Sequence, residues 1–147
     1  MTEISAATQI AASPDQVWAV LADLASYPQW NPLFREASGQ LIAGNKITLK
    51  SIHPVNGRTM TVKASVLAAE PAKELRWRSS LPGIMTGEHS FTLTPAEGGT
   101  RLVQTETYRG LLAHFSAKTT SRFQASFQAL NQALKERAEN RQQATPN

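Results

Sequence analysis

The feature that most constrains this chain is a change in hydrophobic period. Residues 37–109 alternate apolar and polar at every second position in runs bounded by turn residues, whereas Phe123, Phe127, Leu130 and Leu134 recur at spacings of four, three and four. The first pattern reads as an antiparallel meander of six strands and the second as one long amphipathic helix. A curved sheet with one apolar face has to bury that face, and the terminal helix is the only element long enough to cover it.

Turn chemistry assigns registers. Val55-Asn56-Gly57-Arg58 suits a two-residue type I′ hairpin. Val55 is then expected to face Arg58, His53 to face Met60, Ser51 to face Val62, Leu49 to face Ala64 and Ile47 to face Val66. A further turn is expected at Glu70-Pro71-Ala72-Lys73, after which Leu75, Trp77 and Ser79 face inward while Arg76 and Arg78 face water. Pro82-Gly83 marks another connection. His89, Phe91 and Leu93 then share one face, and Ala96-Glu97-Gly98-Gly99 turns the chain into Leu102, Gln104, Glu106 and Tyr108.

Before the meander, Ile4, Ala6, Thr8 and Ile10 form one side of a short first strand. Ser13-Pro14-Asp15 opens a helix with a hydroxyl cap, a proline in the first turn and an acid near the positive end of the helix dipole. Val17, Trp18, Val20, Leu21 and Leu24 make its buried stripe, and it is expected to stop near Tyr27-Pro28. Trp30-Asn31-Pro32 then favours a short turn or bent helical piece, with Trp30 packing as an anchor.

The chain of 147 residues suits one domain, expected over residues 1–140, with a polar tail at 141–147 that should fray. It has no cysteine, which removes disulfides, thiolate metal sites and cysteine nucleophiles and fits a reducing compartment. With no leader-like start and no apolar run of about 18 residues, the expectation is a soluble, cytoplasmic protein without integral membrane association. The net charge of +4 comes from scattered basic residues, so no nucleic-acid partner is expected. His53, His89 and His114 lack a metal-ligand spacing, and no phosphate loop or nucleophile elbow is present, so no metal and no cofactor are expected.

Local sequence sharpens the fold assignment. Ser-Pro-Asp-Gln-Val-Trp at 13–18, Tyr-Pro-Gln-Trp-Asn-Pro at 27–32, Gly-Glu-His-Ser-Phe-Thr-Leu at 87–93 and Gly-Gly-Thr-Arg-Leu-Val-Gln-Thr-Glu at 98–106 together resemble the START-related SRPBCC superfamily, in its polyketide cyclase/dehydrase and lipid-transport branch. The resemblance covers nearly the whole chain. It implies an α+β helix-grip (START-like) fold: a curved antiparallel sheet wrapped around a long C-terminal helix, with two short helices after strand one. It also implies a cavity between sheet and helix for a small hydrophobic, aromatic or lipid-like molecule. Members differ in chemistry, and the matched motifs determine architecture more than activity.

The inward positions give a candidate lining of Ile47, Leu49, Val62, Ala64, Trp77, His89, Phe91, Leu102, Gln104, Tyr108, Phe115 and Phe123. Alternation alone fits a filled core as well as a pocket; the resemblance favours the pocket, and small inward residues (Ser51, Ala64, Ser79) favour a hollow. If Leu93 pairs with Leu102, Phe91 faces Gln104 and His89 faces Glu106, while a slip of two would set His89 against Gln104 or Tyr108. A buried carboxylate needs a partner, so the His89–Glu106 pair is a ligand anchor, a self-satisfying structural pair or, with Tyr108, an acid/base set. His53 reads as a rim residue and His114 as an exposed one. The first expected function is binding of a small hydrophobic ligand. The second is a cyclase- or dehydratase-type enzyme, and the third a protein-interaction or stress-response module, which would show an exposed apolar patch. The sequence leaves the oligomeric state open.

Overall fold

The computed structural model describes residues 1–144, with side chains through Arg141. The order is β1 (Thr2–Ile10), α1 (Pro14–Leu21), α2 (Tyr27–Trp30), β2 (Phe34–Ser38), β3 (Lys46–Ile52), β4 (Thr59–Glu70), β5 (Glu74–Leu81), β6 (Met85–Ala96), β7 (Gly99–Gly110) and α3 (Ala117–Ala144). All seven strands form one antiparallel sheet in the order β1-β7-β6-β5-β4-β3-β2. This is the helix-grip architecture. α3 lays Phe123, Phe127, Leu130, Leu134 and Ala138 into the core. It continues to Ala144, past the boundary expected at residue 140, and residues 145–147 of the expected tail lie outside the described residues.

α1 is shorter than the sequence suggests. Its start is as expected, with Ser13 as cap and Gln16 completing a reciprocal capping box. It ends at Leu21, because the buried phenol of Tyr27 donates at 2.7 Å to the Leu21 carbonyl and so satisfies a terminal acceptor of the helix. The chain then passes through a 3-10 turn at Leu24–Ser26 into α2, where Pro28 sits in the first turn and its missing N–H breaks no helical bond.

The β3–β4 hairpin also departs from expectation. Asn56 does not adopt the positive φ that a type I′ turn demands, and Gly57 alone of the two does, at +71°. His53 donates its N–H to Arg58, Gly57 donates to His53, and the His53 Nδ1 accepts from the N–H of Val55 at 3.1 Å and of Asn56 at 3.4 Å. The loop therefore holds four residues, and pairing slides by two, so Ile47 faces Ala64, Leu49 faces Val62 and Ser51 faces Met60. An even slip keeps each side chain on its expected face.

Two features of the sheet define the space beneath it. Cross-strand rows set Leu75, Phe91, Gln104 and Ala6 in line, then Trp77, His89, Glu106 and Ile4, then Ser79, Gly87, Tyr108 and Thr2. The β4–β5 ladder, interrupted by an irregularity between Val66 and Ala68, ends at Ser65–Arg78. Residues 59–64 of β4 and 79–81 of β5 thus extend past their last mutual pair, and the sheet parts between them.

Candidate functional site

The β6–β7 register matches the sequence expectation: Leu93 faces Leu102, Phe91 faces Gln104 and His89 faces Glu106. His89 is 1% exposed, and its Nδ1 meets the Glu106 carboxylate directly. Its ring is packed by Phe34, Trp77, Phe91 and Phe127, with centroids 5.0–5.4 Å away and Trp77 nearly parallel. The imidazole has one available position.

A chain of hydrogen bonds behind His89 assigns one of its protons. Gln104 Nε2 donates to the Phe127 carbonyl at 3.0 Å and to Asn131 Oδ1 at 2.7 Å, and Asn131 Nδ2 donates to the Ala6 carbonyl at 3.0 Å. Backbone carbonyls only accept, so both amides are oriented unambiguously. Gln104 Oε1 must then accept from His89 Nε2, 2.9 Å away. With Nε2 carrying hydrogen, His89 Nδ1 is the ring nitrogen turned to the Glu106 carboxylate, on the side that faces the hollow.

Gly87 makes room for that carboxylate. A Cβ at this position would stand 2.7 Å from Glu106 Oε1 and 3.5 Å from the Tyr108 ring. Burial, then the nearby charge of Glu106, raises the Tyr108 phenol far above its ordinary value, so at neutral pH it donates a hydrogen bond and does not act as a base.

These groups border a cavity of about 370 Å³. Of the expected lining, Leu49, Val62, Trp77, His89, Glu106, Tyr108 and Phe123 face it. Ile47, Ala64, Phe91, Leu102 and Gln104 do not: they are outside the lining, each at most 1% exposed in the packed core. Phe115 backs the lining, its ring packed at a tilt against Tyr108 and Phe123 with centroids 4.8 and 4.9 Å away. Alternation identifies a face and carries no information about depth along the strand, so both halves of the inner face look alike in sequence.

The residues missed by sequence reasoning include Leu33, Phe34, Met60, Met85, Gly87 and Phe127, while His53, read as a rim residue, lines the cavity beside Pro54. Phe127 was legible as the helix position after Phe123. Leu33 and Phe34 are aimed by Asn31, a buried side chain whose Oδ1 accepts from both of their N–H groups at 3.0 and 2.8 Å. The His53 ring packs edge-on to Phe123 at 5.8 Å, and His114 is exposed. The opening follows the parted strands, where Thr61 and Lys63 of β4 confront Ser80 and Leu81 of β5. Among the described residues no group of three histidine, aspartate or glutamate side chains is placed to hold a metal ion.

Comparison with known families matches residues 1–139 to the family described as polyketide cyclase / dehydrase and lipid transport. The chain belongs to this family. A search of the curated proteins returned no match. Among solved structures, TTHA0849 from Thermus thermophilus superposes with a TM-score of 0.76 at 18% identity, covering 95% of this chain and 98% of that one. A START superfamily protein from Mycobacterium smegmatis gives 0.75 at 18% identity, covering 94% and 97%. The di-domain ARO/CYC StfQ from the steffimycin biosynthetic pathway gives 0.72 at 15% identity, over 95% of this chain and 51% of its own. At such identities these likenesses establish the fold alone. In this member of the family, one half of the space between sheet and long helix is packed and the other half is hollow.

Proposed function

We propose that this protein binds a small, mainly apolar molecule, aromatic or lipid-like in body, with one hydroxyl donated to Glu106. The observation that carries the reading is the uneven filling of the sheet: packed solid around Phe91 and Leu102, and open beyond Trp77, where apolar walls end on Glu106 and Tyr108. The volume lies at the small end of the ~300–1,000 Å³ usual for ligand pockets. Family membership supports the same ligand class. Glu106 offers its Oε1 as an acceptor, which an alcohol or phenol satisfies by donating its hydroxyl hydrogen. A carboxylic acid would set a second anion beside Glu106.

The test is displacement of the neutral fluorophore N-phenyl-1-naphthylamine by naphthols and long-chain alcohols. The expected result is saturable binding in the wild type, competed by the alcohols and weakened in Glu106→Gln. Absence of fluorophore binding, or competition by alkanes as effective as by alcohols of equal size, would overturn the reading.

A second reading, acid/base catalysis of cyclase or dehydratase type, is favoured by the direct contact of His89 Nδ1 with the Glu106 carboxylate at the wall of the hollow, the pairing of groups a proton shuttle needs. The di-domain ARO/CYC StfQ shares the fold. On this reading Glu106→Gln abolishes turnover of a polyketide-like substrate and leaves its affinity within a few-fold.

A further inference from the structure

The open end of the sheet carries an apolar crown. Three connections meet there: the β3–β4 loop, the β5–β6 turn and the β7–α3 segment, tied together by Arg122 donating to the Val55 carbonyl at 3.2 Å and Leu112 N–H to the Ile84 carbonyl at 3.5 Å. Leu111 is 80% exposed, Leu112 63%, Leu81 56%, Ile84 42% and Val55 39%. The two leucines are held in place: the next residue, Ala113, is fully buried, and its carbonyl accepts from the Thr2 hydroxyl.

The charge around the crown has one sign. Segments 53–63, 79–87 and 107–122 hold Arg58, Lys63, Arg109, Lys118 and Arg122, all exposed, and no aspartate or glutamate. The flanking acids are Glu106, turned into the cavity, Glu3 on the outer sheet face beside Thr107, and Glu88, which is already paired with Arg76 and Arg78. Projecting aliphatic side chains ringed by cations match an anionic bilayer, which takes the leucines into its interface and the cations at its headgroups. A second copy docked face to face would bring five cations against five.

We propose that this end of the molecule docks on anionic lipid membranes, with Leu111 and Leu112 inserted and Arg109 and Lys118 against the phosphates. Leu81 also lines the cavity opening, so docking sets the mouth on the bilayer, making membrane lipid the source of the ligand. That last clause rests on the ligand-binding reading above; the docking itself does not.

The experiment is co-sedimentation of the whole chain with vesicles of phosphatidylcholine alone and of phosphatidylcholine with phosphatidylglycerol at about 3:1. Binding is expected to the anionic vesicles only, to fall by about 30-fold in Arg109→Ala/Lys118→Ala and to disappear in Leu111→Asp/Leu112→Asp. The aspartate variant should bind N-phenyl-1-naphthylamine as the wild type does, which shows it folded. Failure of the wild type to sediment with anionic vesicles, equal binding to both compositions, or wild-type binding by both variants overturns the proposal. So does a dimer in light scattering that Leu111→Asp/Leu112→Asp converts to monomer, which assigns the crown to a second copy. If the wild type sediments but binds no fluorophore, the cavity reading fails and docking stands.

Discussion

His89 and Glu106 face each other across the β6–β7 ladder, and the imidazole Nδ1 meets the carboxylate while its Nε2 is bound from behind by Gln104. One side of the ring thus belongs to the core and the other to the hollow. A histidine held this way cannot rotate to satisfy itself elsewhere. Whatever enters the cavity meets a carboxylate whose position is set by three residues on two strands and a helix.

The support for that position is Gln104. Replacing it by leucine strands His89 Nε2–H and Asn131 Oδ1 in a dry core, and at ~1–3 kcal/mol for each unsatisfied group the variant should lose about 3 kcal/mol. Urea unfolding measures it. Because Asn131 accepts from the same amide, Gln104→Leu and Asn131→Leu should be non-additive, the double variant losing clearly less than the sum. Additive losses would mean the chain of hydrogen bonds is not a unit.

Gly87→Ala tests the carboxylate in isolation. The new methyl would fall 2.7 Å from Glu106 Oε1, the end of a flexible side chain, so the carboxylate moves and the strand survives. Stability should drop by no more than about 1 kcal/mol, while affinity for alcohols falls by roughly tenfold or more, the worth of one charged hydrogen bond. Isothermal titration and thermal melting read the two effects separately. A large loss of stability with unchanged affinity would place the cost in the sheet instead.

Filling the hollow should separate the two halves of the inner face. Ser79 lines the cavity and is half-buried, so Ser79→Phe has space to enter and should abolish fluorophore binding with stability within about 1 kcal/mol of wild type. Ala64, on the neighbouring strand and also small, is 1% exposed and lies outside the cavity lining. Ala64→Phe should destabilise by about 3 kcal/mol through overpacking. Similar behaviour of the two variants in melting and binding assays would contradict the boundary drawn between core and cavity.

How these two small residues differ shows what a sequence can and cannot say here. Both read as inward and small, because a strand's period of two reports the face and nothing else. What separates them is how tightly the rest of the chain packs over each, which no local pattern encodes. The His89–Glu106 pair was legible because a tight turn at Glu97-Gly98 locks a long hairpin whose apolar residues agree with one register. The β3–β4 register was not, since the His53 ring nitrogen captures two N–H groups of the loop and stabilises a wider turn than Asn56-Gly57 suggests. Asn131 was equally hidden: it reads as one polar position on a helix and turns out to be buried, joining Gln104 to the β1 backbone.

The same helix makes one contact whose pH dependence has a definite sign. Glu139 accepts from Lys135 Nζ at 2.5 Å and from the Ala11 N–H at 2.9 Å, tying α3 to the corner after β1. The Lys135 hydrogen bond, then that of Ala11, holds its carboxyl below the ordinary value. A carboxylate whose folded pKa is depressed stabilises the fold above its unfolded pKa, and that contribution disappears as pH falls through the folded value. Glu139→Gln should therefore be less stable than wild type at neutral pH, by under about 1 kcal/mol because the pair is wetted by solvent, and should match it in strong acid. Urea midpoints across the acid range test this. A difference that stays constant from neutral to acid would show that the Lys135 charge contributes nothing and that the hydrogen bond to Ala11, which glutamine can also accept, was never the sensitive link.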